Sequence, residues 1–499
     1  MEQKTVNKIV KKVIVIGAGF AGISAATSLA HRGYKVTVLE KHPVPGGRGR
    51  YFRENGFHYD MGPSWYWMPD VFESYFAQFG KKVSDYYELI RLNPSYAVIF
   101  GENDIWHIPA SLSEFEALLE QHEKGASQKL KNFLEQSAYK YEVGIKKLVY
   151  KPSRSIREFL DARLLYDILR MDIFKSFSSH IRKYFHHEKI LKLMEFPVLF
   201  LGATPRNTPA LYSLMNYADI ALGTWYPMGG MYKIVEGMCK LAQEKGVNFY
   251  FNIEVQKFYL QNNQITHVKT SQGDFEGEII ISGADYHHTE MELLPTEYRS
   301  YSEKYWNSRV MAPSCLIFYL GINKKLKNLL HHNLFFDEDF SLHAEEIYTT
   351  PRWPSKPLFY VSVPSITDKS VAPEGCENVF ILIPVAHSLQ DDDQIREQYY
   401  HIVMERLERL TQQSIRDHVI FKKSYAHTNF INDYHAFKGN AYGLANTLMQ
   451  TAIFKPSLKS KKVKNLYYTG QLTVPGPGVP PSLISGIVVA NEVAKEFPY

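Results

Sequence analysis

Cysteine is scarce in this chain: Cys239, Cys315 and Cys376 are the only three in 499 residues. They are odd in number and far apart, which excludes a disulfide framework or a paired-cysteine metal site and suits a reducing compartment. Long apolar runs are missing too. None approaches the roughly 20 residues of a membrane-crossing helix, and Val13 to Ile16 is too brief for a signal-peptide core. The expectation is a cytoplasmic protein that is free to rest on a membrane surface. Nor is there a strong charge excess. The 57 Lys and Arg against 52 Asp and Glu leave +5, too mild to indicate a nucleic-acid partner. The paired histidines (His186-His187, His287-His288, His331-His332) are sequence neighbours, whose side chains do not converge on one face, so no metal is expected. No HExxH, Walker loop or nucleophile elbow is present. The five lysines between Lys455 and Lys464 read as a solvated loop. What the chain has in quantity is aromatic: 34 Tyr, 30 Phe and 6 Trp. These rings either line a long apolar tunnel or fill ordinary core. With 45% hydrophobic and 22% charged residues, the composition is that of a folded protein long enough for two or three substructures.

Lys12-Val-Ile-Val-Ile16 runs straight into Gly17-Ala-Gly19-Phe-Ala-Gly22. Gly17 permits a sharp turn, Gly19 lets backbone N–H groups approach a pyrophosphate, and Gly22 lets the following helix pack close on the strand. That helix, expected from Phe20 to Arg32, points its positive end at the phosphates. A second strand, Val36 to Leu39, ends in Glu40, an acid placed to accept both ribose hydroxyls. Strand, turn, helix and acid in register predict a dinucleotide site. Lys41 and then Gly46-Gly47-Arg48 follow, and then Phe57-His58-Tyr59-Asp60-Met61-Gly62-Pro63-Ser64. The glycine pair allows close backbone approach, and Arg48 offers a charged fork to a phosphate. The paired glycine and arginine so soon after the acid resemble the FAD fingerprint of the large flavin-oxidoreductase group.

Two further segments repeat this logic. Tyr226-Pro-Met-Gly229-Gly230-Met231 opens a helix on which Met231, Ile234, Val235, Met238, Leu241 and Ala242 form one stripe, ended by Gly246. Strands are expected at Asn248–Phe251, Val255–Leu260 and Gln264–Thr270, with Asn262-Asn263 as the hairpin turn. Another runs from Glu278 to Ser282 and ends in Gly283-Ala284-Asp285. Near the C-terminus, Asn465-Leu-Tyr-Tyr-Thr-Gly470-Gln471 and Pro475-Gly-Pro-Gly478-Val479-Pro480 lead into a helix expected from Ser482 to Lys495. Free N–H groups at such a turn either contact a flavin's pyrimidine oxygens or simply cap a terminal helix.

Together these segments, with Gly439-Asn-Ala-Tyr-Gly-Leu444, resemble the bacterial-type carotenoid desaturases, which act on phytoene and related acyclic carotenoids. The words fall in the family's order and span nearly the whole chain. The resemblance implies FAD as the redox cofactor, a long apolar polyene as substrate, and attachment to the surface of the inner membrane. It implies that one hydrogen leaves the polyene as hydride to the flavin and the other as a proton, with quinone or oxygen as final acceptor. It implies an α/β fold: a Rossmann-type FAD-binding domain (1–85, 226–295 and 456–499), a mixed antiparallel-sheet substrate domain (86–120 and 296–455) and a helical insert (121–225). In that reading Gly17, Gly19, Gly22, Glu40, Lys41, Gly47, Arg48, Gly62, Pro63, Ser64, Val255, Asp285, Gly470, Gln471, Gly478 and Val479 hold the cofactor. Gln471 is a departure, since many related flavoproteins carry an acid there. Rival readings on the same residues are a carotenoid isomerase, a retinoid saturase, a flavin amine oxidase and a non-catalytic isoprenoid carrier.

His58 and Asp60 are the candidate polar helpers of catalysis, on a strand expected to face the flavin. Asp60 alternatively braces the turn at Gly62-Pro63. In the insert, Ile156, Phe159, Leu160, Leu164 and Ile168 recur at helical spacing. Lys151 to Lys192 holds ten Lys and Arg against five Asp and Glu, the whole net charge of the chain. Interleaved with Leu165, Tyr166, Ile173, Phe174, Phe177, Tyr184 and Phe185, that charge describes either a face for anionic headgroups or a solvated lid over core aromatics. Short alternating strands such as Cys315–Leu320, Leu358–Val363 and Val379–Pro384 predict the substrate wall.

Overall fold

Alternation within one short apolar strand decides how the first layers stack. In Lys12–Ile16, Val13 and Val15 point into one core and Ile14 and Ile16 into another, as the period of two requires. The strand is central in a five-stranded parallel sheet, in the order Leu466–Tyr468, Ile279–Ser282, Lys12–Ile16, Lys35–Leu39, Asn248–Tyr250. The Val13 face packs on the helices Phe20–Ala30, Tyr232–Glu244 and Val479–Glu496; the Ile14 face packs on a three-stranded antiparallel sheet, Val255–Gln261, Gln264–Thr270 and Gly273–Glu276. A parallel sheet covered on both faces explains why its strands are apolar throughout. This computed structural model describes residues 10–161, 166–167, 170–202 and 204–498.

The second layer is a seven-stranded mixed sheet. Its order is Val419–Tyr425, Ser314–Ile322, Glu377–Val385, Phe359–Ser362, His332–Phe335, Tyr96–Gly101, Asp104–Ile108. Neighbours are antiparallel except His332–Phe335 and Tyr96–Gly101, which run parallel. Alternation again sorts the faces. Leu316, Phe318, Leu320 and Ile322 pack with Val403, Met404, Leu407 and Leu410 of the helix Asp393–Thr411. Cys315, Ile317 and Tyr319 face the other way, toward the parallel-sheet domain.

Residues 121–225 depart from the expected run of helix. Ala126–Val143 is a regular helix, but beyond it the described residues form turns and short helical segments, among them Phe177–Ile181 and Glu188–Glu195. Ile156–Phe159 is a single tight turn whose N-cap is Ser155, reinforced by Glu158. Pro152, Ser153 and Ser155 favour caps and turns over helix interior, which overrides the apolar spacing. Leu164, Leu165 and Ile168 lie outside the described residues. The aromatic set also divides: Phe177 and Phe185 are core and Tyr184 is half-buried, whereas Tyr166 and Phe174 are 62% and 77% exposed.

Lys455 is a second correction. It is buried rather than solvated, with Nζ 3.2 Å from Asn446 Oδ1, and burial lowers its pKa to about 8. Its ammonium end lies beside Gly476 of the C-terminal turn, while Lys461 and Lys462 remain exposed.

Candidate functional site

Two helix N-termini open into one cavity. Phe20–Ala30 begins at Gly19 and Val479–Glu496 at Gly478, and neither N-cap supplies a side-chain acceptor. The first helix therefore presents unpaired N–H groups and the positive end of its dipole, a ready anion site. The second offers its dipole and the Val479 N–H, since Pro480 and Pro481 carry no N–H and Ser482 N–H donates to Gly478 O at 2.9 Å. The first turn is fixed by backbone: Gly17 N–H donates to Leu39 O at 2.8 Å, and Gly46 N–H to Ala18 O at 2.7 Å, which lays the Gly46-Gly47 turn against the first glycine turn. A Cβ on Gly22 would stand 2.0 Å from Gly17 O, whereas one on Gly19 would meet nothing within 4 Å. Gly22 is demanded by packing; Gly19 borders open space.

The cavity holds about 420 Å³ and lies between the two sheets. Gly17, Gly19, Gly22, Glu40, Lys41, Gly47, Arg48, Gly62, Pro63, Ser64, Val255, Asp285, Gly470, Gln471, Gly478 and Val479 all line it. Glu40 sits at the end of its strand, its carboxylate accepting from Ala18 N–H at 2.6 Å and His42 N–H at 2.9 Å. Lys41 is engaged by the protein itself: Nζ donates to Asn432 O at 2.8 Å and lies 3.4 Å from Glu254. Gln471 Nε2 donates to Asn440 Oδ1 at 3.1 Å, so this neutral side chain is held in place where an acid was the familiar choice. Asp285 is fully buried and pushed up to about 6 by that burial, with the Arg48 guanidinium the largest opposing influence.

His58 and Asp60 do not line the cavity. The Asp60 carboxylate turns to the start of the helix Tyr232–Glu244, accepting from Met231 N–H at 2.8 Å and Tyr232 N–H at 2.9 Å, and His58 Nε2 lies 3.3 Å from it. Asp60 satisfies two orphan helix donors, so the pair braces the Gly229–Tyr232 turn rather than serving the reacting centre or the Gly62-Pro63 turn.

The rest of the wall is built by residues that the sequence motifs do not mark. Trp65, Trp67, Met68, Met215, Ile317, Tyr360, Leu382 and Tyr442 line it. Trp65 stacks on buried His332 at 4.2 Å, and the Tyr360 hydroxyl lies 2.6 Å from His332 Nδ1. The one signal available was the odd-numbered alternation of Trp65 and Trp67 directly after Ser64. Trp67 is tethered from behind: its indole N–H donates to Thr224 Oγ1 at 2.9 Å, and Thr224 donates to Asp219 at 3.3 Å, which also accepts from Tyr96 at 2.7 Å.

Burial holds Asp219 up at about 7, with the hydrogen bonds from Tyr96 and Thr224 pulling the other way. The folded state keeps a proton that the unfolded chain gives up near the ordinary carboxyl value. That contribution is complete below the unfolded pKa and is lost as pH rises through about 7. Asp219→Asn is expected to flatten the decline of melting temperature between about pH 4 and pH 7. Thermal melts across that range check it, and a variant declining as steeply as the wild type contradicts the assignment.

Comparison with known proteins identifies the architecture. A family model described as flavin-containing amine oxidoreductase matches residues 20–494. A carotenoid 3,4-desaturase of Haloarcula japonica is 39% identical over 488 residues, covering 97% of this chain and 98% of that protein. The chain belongs to this flavin-containing family, among its carotenoid desaturases. A zeta-carotene-forming phytoene desaturase of Myxococcus xanthus is 30% identical over 97% of this chain and 94% of its own length. A solved oxidoreductase from Methanosarcina mazei shares the fold with a TM-score of 0.62 at 15% identity, covering 96% of this chain and 100% of that one.

FAD is the family's cofactor, and the residues present fit it. Arg48 is partly buried, with its Nε enclosed and unpartnered, and its hydrogen bond to Asn440 O is long at 3.4 Å. A guanidinium at the cavity wall so poorly satisfied calls for an anion. The open space at Gly19 and the uncapped start of Phe20–Ala30 would provide further donors for a pyrophosphate. Glu40, at the end of the second strand and on the cavity wall, would accept from the ribose hydroxyls.

Proposed function

We propose that this flavoenzyme introduces carbon–carbon double bonds into an acyclic or monocyclic carotenoid or its precursor. The lining of the larger cavity carries the reading: beside the glycine turns and Arg48 stand Trp65, Trp67, Met68, Met215, Leu382 and Tyr442. The carboxylates of Glu40, Glu254, Asp285 and Asp433 that also line it are each engaged by protein donors. That wall suits a hydrocarbon and disfavours an amine. The printed activities of the relatives favour desaturation over isomerisation, saturation or a carrier role. FAD, when bound, supplies the acceptor for the hydride that leaves the polyene. The chain's part is to orient the polyene along the aromatic wall, exclude water from it, and fix the indole of Trp67 through Thr224 and Asp219. Supplying the enzyme with phytoene, neurosporene, lycopene and monocyclic carotenes tests this. A product absorbing at longer wavelength is expected from at least one, and none from any would oppose the reading.

The protein is further proposed to work on the inner face of the cytoplasmic membrane, passing electrons to a quinone or to oxygen. No helix among the described residues is long and apolar enough to cross a bilayer. Support for surface attachment comes from the insert, where Ile156, Leu160, Tyr166 and Phe174 are 56–77% exposed on a segment carrying the chain's net positive charge. Exposed apolar groups beside cations suit anionic headgroups. The protein is expected to sediment with anionic liposomes at low salt and to be released by high salt. Equal recovery in the supernatant at low salt would reject attachment.

A further inference from the structure

A second cavity adjoins the first. It holds about 50 Å³, and Tyr360, Leu382 and Tyr442 line both, so these three side chains are the partition between them. Behind the partition the wall is apolar, formed by Phe336, Phe340, Ala344 and Ile347 among others. The ionisable His343 is already satisfied: it accepts Leu358 N–H at 2.8 Å on Nδ1, and its Nε2 lies 2.9 Å from Pro384 O. Such a space is several times the roughly 10–15 Å³ one water needs, yet it offers water few partners, and apolar cavities of this kind stay dry. Its natural occupant is hydrocarbon.

Tyr360 is anchored to His332. Leu382 carries no polar atom and has no hydrogen bond to lose when its side chain turns, and its backbone is held in the ladder by strands on both sides, paired with Ile317 and Tyr360. We propose that the second cavity receives the branched hydrocarbon end of the polyene and that Leu382 is its gate, setting how far the chain advances and which carbon–carbon bond meets the flavin. The inference rests on the desaturase reading and adds to it the residues that choose the bond.

The test uses the full-length, FAD-loaded protein with phytoene and with a shorter acyclic polyene of the same end group. Ala344→Phe fills the cavity from its far side, and Leu382→Ala removes the gate. Filling is expected to shift the ratio of products that differ in position or number of new double bonds by about tenfold or more, in line with the worth of a methylene in an apolar pocket. Conversion of the shorter polyene and flavin content should be spared. Gate removal should shift the ratio in the opposite sense, and it decides the matter if the filled variant does not fold. Wild-type product ratios and KM in folded variants would overturn the pocket while leaving desaturation intact. A flavin-loaded wild type that neither binds nor converts any polyene would overturn both.

Discussion

Arg48→Ala is expected to lower FAD affinity by about 10- to 100-fold while leaving the thermal stability of the apoprotein unchanged or raised. The two signs come from the same fact. The side chain lines the cavity, partly buried with its Nε enclosed and unpartnered, and forms no ion pair among the described residues; its neighbours are the Asn440 carbonyl, the Tyr434 ring at 5.1 Å and Asp285, with which it interacts beyond ion-pair distance. An unpaired, partly buried charge costs stability, and removing it without cofactor present relieves that cost. With cofactor present, the substitution deletes charge-assisted hydrogen bonds to phosphate worth about 1.5–3 kcal/mol, and about 1.4 kcal/mol is tenfold in affinity. Arg48→Lys restores the charge but not the planar fork and should recover only part of the loss. Flavin titration of apoprotein, with melts of the same samples, reads both quantities. A variant that melts lower without flavin and binds flavin normally would make Arg48 a packing residue.

The other large effect falls far from any ligand. Gly486 lies where the helix Val479–Glu496 crosses Phe20–Ala30, and a Cβ there would stand 2.3 Å from Ala21 O and 2.7 Å from Ala25 N. Both neighbours are backbone, so the helices themselves must separate. Ser24 Oγ donates to Leu483 O at 2.8 Å across the same contact and would be pulled apart with it. Gly486→Ala is expected to destabilise the holoprotein by about 3 kcal/mol, the upper end of ordinary overpacking. Because these two helices aim their N-termini into one cavity, flavin retention should fall together with stability. Gel filtration with flavin-to-protein ratio, alongside a thermal melt, measures the pair. A stable variant with full flavin content would show that the helices need not touch so closely.

What was legible beforehand follows from how locally each feature is determined. The glycine turn, the helix behind it and Glu40 are set by backbone geometry within some thirty residues, and the structure brings them together as their spacing implied. The substrate wall was harder, because Ser314–Ile322 is buried along its whole length. A strand apolar on both faces gives no hint that Ile317 meets a cavity while Phe318 meets a helix. Asp60 misled for another reason. Its partners, the N–H groups of Met231 and Tyr232, are some 170 positions away, so only the tertiary fold shows that the carboxylate caps a helix. Around Ile156 the apolar period suggested helix, but the serines and Pro152 settled the backbone first. Lys455 looked like its exposed neighbours until the C-terminal turn covered it.

Anaerobic mixing of the flavin-loaded protein with an acyclic carotenoid, following flavin and polyene absorption together, tests most directly whether one cavity joins a flavin site to a hydrocarbon chamber. The flavin's visible band is expected to bleach as a longer-wavelength polyene appears, one new double bond for each flavin reduced. A fully flavinated protein whose band persists while the polyene is recovered unchanged would contradict it.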